Sequence, residues 1–131
     1  MSGDALAAAA ERFVGVPFRL HGRCSERGLD CIGLVLAALE AAGRRVRVPA
    51  YRLRMREIGG LVAAASDAGL VEASGPVRPG DMLLVRPGPA QHHLAIAATG
   101  GGFVHAHAGL GRVVLTPAPL PWAEERRWRL P

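Results

Sequence analysis

Residues 30–35 read Asp-Cys-Ile-Gly-Leu-Val and place a cysteine at the predicted beginning of a helix. From Cys31 to Ala42 apolar side chains recur every three or four residues, and Gly43 follows. This pattern predicts an amphipathic helix that ends at a glycine cap. Asp30 has the right side chain to cap the first turn. Because helix N-terminal amides and the helix dipole stabilise a thiolate, we expect a lowered pKa for Cys31.

Along the rest of the chain, helical patterns come first and patterns typical of strands follow. A first helix is expected over 4–14 and a third over 57–68, with a loop-rich stretch at 15–30 and a connector at 44–56. Strands are expected later, at 82–85, 93–98, 103–107, 113–115 and 127–130, with a loop at 87–89 and a hairpin turn at 100–102. Helices followed by strands predict one α+β domain over 1–131 with an antiparallel sheet.

Composition narrows the possible functions. The 131 residues suit one domain, and half of them are apolar. The net charge is +5 and all sixteen basic residues are arginine, which favours anionic partners in general. These arginines are scattered and aromatic residues make up only 5%, so we do not expect nucleic-acid binding.

No apolar run approaches the ~20 residues of a membrane span. The N-terminus lacks a signal-peptide pattern, so synthesis in the cytoplasm is expected.

Histidines supply the second candidate group, since four of the five fall at 92, 93, 105 and 107. A hairpin between the two pairs can bring His93 beside His105, with His107 on the same face and His92 on the opposite one. One imidazole could then take a thiol proton while the second orients the first. Three alternatives remain: core or solvated histidines, a zinc site of His93, His105, His107 and a cysteine, and a purely structural Cys31.

At this point the chain resembles the NlpC-type cysteine peptidases, which cut bacterial cell-wall peptides. The resemblance lies in six stretches taken in order: residues 15–18, Gly22, 30–35, 79–84, 93–96 and 103–106. The twelve-residue step from His93 to His105 also matches the family's pattern of a cysteine followed by two histidines. Within the family, the chain most resembles the compact peptidases that phages and gene transfer agents encode in tail gene clusters.

The resemblance implies a papain-like α+β fold in which the nucleophile helix packs on an antiparallel sheet. It implies that Cys31 attacks an amide carbonyl, that His93 is the general base and that His105 orients His93. No metal or organic cofactor is implied. The implied substrate is the peptidoglycan stem peptide, commonly cut between D-γ-glutamate and a diamino acid. Phage-like tail proteins are implied partners, with delivery in a particle or by lysis.

Some positions depart from the family's pattern or have no role in it. Phe18 stands where the family commonly has tyrosine, which removes a hydroxyl expected near the active site. We take Phe18, Asp30 and His107 as candidate substrate-binding residues, although Asp30 also suits a purely structural role as a cap. Cys24 has no family role. The alternative function is a catalytically idle tail-assembly or cell-wall-binding module.

Overall fold

Three helices precede most of the sheet in the computed structural model, which describes residues 3–44, 46, 58–89 and 91–131. The helices are α1 (Gly3–Glu11), α2 (Cys31–Ala41) and α3 (Ile58–Asp67). Most of the predicted connector at 44–56 lies outside the described residues. Within the described ranges, no helix is both long and apolar enough to cross a membrane.

Eight strands form two antiparallel sheets in the described part of the chain. A small hairpin joins β1 (Arg23–Cys24) to β2 (Gly28–Leu29). The main sheet contains β3 (Val71–Glu72), β4 (Met82–Gly88), β5 (Gln91–Ala97), β6 (Phe103–His107), β7 (Arg112–Thr116) and β8 (Ala123–Arg129). Its strand order is β3-β8-β4-β5-β6-β7. The predicted α+β class, with helices first and an antiparallel sheet after them, is confirmed.

The structure corrects the sequence prediction where elements are short or irregular. The predicted loop at 87–89 is wrong in part, because β4 continues to Gly88, which pairs with Gln91. A register shift between Val85 and Gly88 accommodates Pro87, which has no amide to donate to a ladder. The β1–β2 hairpin lies within the predicted loop at 15–30, and β3 was not predicted. Two-residue strands contain too little alternation to be read from a sequence.

Apolar side chains cluster on both faces of the main sheet. The larger cluster, here called the helix-side core, packs the helices against sheet residues such as Leu84, Ile96 and Val104. Successive side chains of a strand point to opposite faces, and the alternate positions form a second group that we call the outer cluster. Its members are Leu83, Val85, Ala95, Ala97 and Phe103, covered by Leu120 and Trp122. The sheet therefore has a thickly covered face and a thinly covered one.

A buried ion pair ties the beginning of β4 to the end of β8. Asp81 is fully buried, and its carboxylate accepts two hydrogen bonds from Arg129, at 2.7 and 2.8 Å. The backbone amide of Arg78 donates a third, at 2.9 Å. Burial alone would raise the pKa of Asp81, but the hydrogen bonds and charge of Arg129 lower it below its usual value. The Pro-Gly-Asp turn at 79–81 is thereby fixed against the sheet.

Candidate active site

The N-terminus of α2 is built around the carboxylate of Asp30, the N-cap residue. Its Oδ1 accepts from the amide of Gly33 at 2.8 Å and from Arg23 Nη1 at 2.7 Å. Its Oδ2 accepts from the amide of His21 at 3.0 Å. Both carboxylate oxygens are thus used to join the preceding loop to the first turn. This arrangement fixes the position of Cys31, the first residue of the helix.

Glycines allow the same loop to lie directly on the helix. A Cβ atom added at Gly33 would collide with the carbonyl oxygen of Gly22, and one added at Gly22 would collide with that of Gly28. Gly28 also has a φ of 137°, a conformation that favours glycine. Glycines therefore permit a close approach of the loop backbone to the first turn of α2.

Burial dominates the chemistry of the Cys31 thiol, which is only 7% exposed. Desolvation raises its pKa to about 11, and the nearby carboxylate of Asp30 adds to the rise. Backbone hydrogen bonds at Leu94, Ile32 and Cys31 itself act in the opposite direction but are outweighed. The prediction of a lowered pKa is thus wrong, because it counted the helix N-terminus and not the loss of water. At neutral pH the thiol is protonated.

Two of the histidines form a hydrogen-bonded pair on the side of the sheet that bears the outer cluster. His93 Nε2 lies 2.9 Å from His105 Nδ1, and the ring planes are nearly perpendicular at 86°. The expectation that the hairpin brings these two side chains together is confirmed. On its other side, His105 Nε2 lies 2.7 Å from Thr116 Oγ1. His93, His105 and Thr116, which we call the histidine chain, are therefore linked in series.

Both imidazoles of the histidine chain are neutral near pH 7. Burial lowers the pKa of His93 to about 4, and the charges of His105 and His107 contribute. Burial and His107 likewise lower the pKa of His105 to about 4. Trp122 lies edge-to-face against both rings, with centroid distances of 5.6 Å to His93 and 5.5 Å to His105. The indole packs over the pair and helps to keep water away from it.

Cys31 begins a helix that contacts β5 and β6, the two strands of His93 and His105. These strands pair at Ile96–Val104 and Ala97–Phe103, and both histidines lie beyond those pairs. Beside these contacts, the backbone of Leu94, the residue after His93, acts to lower the pKa of the Cys31 thiol. Since Nε2 of His93 is engaged with His105, a second partner of this ring would have to bind at Nδ1.

The remaining histidines have other partners. His92 Nδ1 lies 3.1 Å from Glu125 Oε1, so this side chain is engaged away from the histidine chain. His107 Nδ1 accepts a hydrogen bond from the amide of Leu110 at 3.0 Å. The ring centroids of His107 and His105 are 5.7 Å apart. His107 therefore borders the histidine chain without joining it.

The other residues singled out from the sequence lie on the helix side. Phe18 is partly buried and packs against the helix-side core, which includes Cys31. Cys24 is exposed on β1, so its thiol is not part of the core.

Sequence reasoning missed Thr116 and Trp122. Thr116 ends β7 opposite Phe103, which puts it diagonally across from His105 on the same face. Strand alternation could have suggested that placement, but threonine is common in strands for unrelated reasons. For the zinc alternative, the described residues contain no three His, Cys, Asp or Glu side chains placed to hold one metal ion.

Comparison with known proteins agrees with this geometry. The model of the NlpC/P60 family matches residues 15–126. The chain belongs to the NlpC/P60 family. Protein P54 of Enterococcus faecium is 26% identical over 106 residues, which cover 81% of this chain and 18% of that protein.

Solved structures show the same fold. The NlpC/p60 domain of the peptidoglycan hydrolase SagA is 25% identical, with a TM-score of 0.62 and 97% coverage of each chain. NlpC2 from Trichomonas vaginalis has a TM-score of 0.69 at 18% identity, over 97% of this chain and 45% of that one. The chain thus spans less than half the length of P54 and of NlpC2. The expected α+β fold of the family, with helices packed on an antiparallel sheet, is confirmed.

Proposed function

We propose that the protein is a thiol peptidase that hydrolyses peptidoglycan stem peptides through Cys31, His93 and His105. One observation carries this proposal. A buried cysteine begins α2, the backbone of Leu94 next to His93 acts to lower the pKa of its thiol, and Nε2 of His93 lies 2.9 Å from Nδ1 of His105. Membership of the NlpC/P60 family, and the similarity to the domain of the hydrolase SagA, support the cell-wall substrate.

The reaction begins from an uncharged pair, because the thiol pKa is raised to about 11 and the pKa of His93 is lowered to about 4. As Sγ of Cys31 attacks the carbonyl carbon, Nδ1 of His93 takes the thiol proton. Charge therefore develops only on the way to the transition state. His105 Nδ1 accepts from Nε2–H of His93 and stabilises the imidazolium that forms. Stabilisation of this kind accelerates the chemical step rather than substrate binding.

The first turn of α2 stabilises the negative charge that develops during the reaction. Its backbone hydrogen bonds at Cys31 and Ile32 favour negative charge at the thiol. The same amides stabilise the oxyanion of the tetrahedral intermediate. When the intermediate collapses, His93 gives its proton to the leaving amine and a thioester remains on Cys31. Water then attacks the thioester, with His93 as base, and the free thiol is regenerated.

Around this centre, Phe18 and His107 are the proposed substrate-binding side chains. Phe18 offers an apolar ring where the resemblance leads one to expect a tyrosine. Asp30 contributes differently, because both of its carboxylate oxygens accept hydrogen bonds from the protein. Its proposed contribution to substrate binding is therefore indirect, through the position of Cys31.

The proposed cleavage between D-γ-glutamate and the diamino acid is tested with defined peptides. L-Ala-D-γ-Glu-meso-diaminopimelate-D-Ala and its lysine counterpart are incubated with the wild type, Cys31→Ala and Cys24→Ala, and the products are weighed by mass spectrometry. We expect L-Ala-D-γ-Glu from the wild type and from Cys24→Ala, whose lost thiol is exposed. No product is expected from Cys31→Ala. Cleavage by Cys31→Ala would contradict the thiol mechanism. Cleavage elsewhere in the peptide would show that the enzyme cuts a different bond from the proposed one.

Two further parts of the proposal rest on the sequence resemblance. They are the association with phage-like tails, and delivery in a particle or by lysis after synthesis in the cytoplasm. P54, SagA and NlpC2 do not bear on either. Binding to sacculi by a wild type that cleaves neither peptide would favour the alternative of an idle tail-assembly or wall-binding module.

A further inference from the structure

We propose that Thr116 is a positioning residue that fixes the tautomers of both imidazoles in the histidine chain. Its Oγ1 lies 2.7 Å from Nε2 of His105, whose Nδ1 side faces His93 at 2.9 Å. The kinetic consequence rests on the proposed function, whereas the tautomers themselves are a property of the folded protein. Thr116 acts through His105 and does not touch the reacting atoms.

The direction of each hydrogen bond follows from the task of His93. To receive the thiol proton, Nδ1 of His93 must be unprotonated, so the ring proton sits on Nε2 and is donated to His105 Nδ1. His105 is neutral near pH 7 because its pKa is about 4, and it therefore has one ring proton, on Nε2. That N–H donates to Thr116 Oγ1. The hydroxyl oxygen is the acceptor that makes this arrangement self-consistent.

In the described part of the chain, no other side chain is hydrogen-bonded to Nε2 of His105. His105 is only 1% exposed, so water does not reach its Nε2 freely. His107 is the nearest other imidazole, with its centroid 5.7 Å away. Its Nδ1 already accepts from the amide of Leu110, so that nitrogen has no proton, and Nε2–H is a donor rather than an acceptor.

Loss of the acceptor reverses the direction of the hydrogen bond between the two imidazoles of the histidine chain. With nothing to receive Nε2–H, the proton of His105 moves to Nδ1, and His93 Nε2 must accept it. His93 then has its own proton on Nδ1, the nitrogen that faces the thiol, and no longer serves as a base. A single hydroxyl on β7 thus controls the protonation of a ring on β5.

Thr116→Val tests this inference because it has the same shape and no acceptor, and Thr116→Ser restores the hydroxyl. Imidazole ¹⁵N–¹H correlation spectra report the tautomers of His93 and His105 in each protein at pH 7. We expect Nε2–H on both rings in the wild type and Thr116→Ser, and loss of that pattern in Thr116→Val. With the stem peptide, kcat of Thr116→Val should fall at least about tenfold while KM stays unchanged.

The outcomes separate this inference from the proposed function. Wild-type tautomers in Thr116→Val overturn the inference, whether or not the protein cleaves peptides. An altered tautomer with unchanged kcat overturns the positioning role and leaves the peptidase intact. If the wild type cleaves nothing, the proposed function fails and the spectra still decide the tautomers. Should Thr116→Val not fold, Thr116→Ala is measured in its place, with the same outcomes.

Discussion

The two faces of the main sheet differ in what covers them and in what they contribute. The helix-side core is covered by helices and contains the buried Cys31. The outer cluster has only five buried members, with Leu120 and Trp122 packed against it. On this thinly covered face lie His93 and His105, linked through polar atoms rather than by apolar packing. One face thus positions a thiol by burial, and the other positions a base by hydrogen bonds.

This difference explains why neither face contains the whole site. Burial in the helix-side core holds the thiol rigidly but raises its pKa to about 11. On the other face, burial lowers the pKa of His93 to about 4, so its imidazole is neutral and able to accept a proton at neutral pH. Helix α2, which begins with Cys31, contacts β5 and β6, the strands of the two histidines. We therefore expect stability to depend mainly on the helix-side core, whereas the proposed catalysis uses groups from both faces.

The largest effect on activity is expected from substitutions of the two adjacent histidines, 92 and 93. His93→Ala removes the proposed base, so kcat/KM on a stem peptide should fall by about 10²–10⁴-fold. His92→Ala is the matched control, because His92 pairs with Glu125 instead, and it should retain nearly full activity. Equal losses for the two variants would contradict the assignment of the base.

Truncations on the two faces should differ in their effect on the free energy of unfolding, measured with urea. Leu34 on α2 is fully buried in the helix-side core, so Leu34→Ala should lower that free energy by about 2–5 kcal/mol. Leu120 is partly buried over the outer cluster, and Leu120→Ala should lower it by only about 1 kcal/mol. Comparable losses would show that the outer face contributes as much to stability as the helices do.

The dependence of activity and stability on acid pH tests whether the histidines of the outer face are buried and neutral. Since the pKa of His93 is about 4, kcat/KM should fall only as pH approaches 4, rather than near the ordinary value of about 6.5. Between these values the unfolded chain binds more protons at His93 and His105 than the folded one. Stability should therefore decrease as pH falls from about 6.5 to 4. An acid limb in kcat/KM near 6.5 would contradict a buried, neutral base.

Much of the helix-side framework could be predicted from the sequence. The periodicity after Cys31 located α2, and the glycine turn at 100–102 brought His93 to His105. Both signals are local, because a repeat or a tight turn is contained within a few neighbouring residues. Asp30 as the helix cap is equally local and was expected for the same reason.

The parts that were missed depend on contacts between distant segments. The pKa of Cys31 is set by how completely the core excludes water, which the residues of the first turn do not reveal. Thr116 reaches His105 across two paired strands, and Trp122 covers the histidines from a third segment. β3 is a two-residue strand that exists through its pairing with β8. Such features follow from packing, which local patterns specify only indirectly.

The central claim is that a thiol from one face and a base from the other together cut cell-wall peptides. It is tested most directly by incubating purified sacculi, of both the diaminopimelate and the lysine type, with the wild type, Cys31→Ala and Cys24→Ala. Soluble fragments are then identified by mass spectrometry. We predict the same fragments from the wild type and Cys24→Ala, and none from Cys31→Ala. Fragments from Cys31→Ala, or none from the wild type on either wall, would contradict the claim.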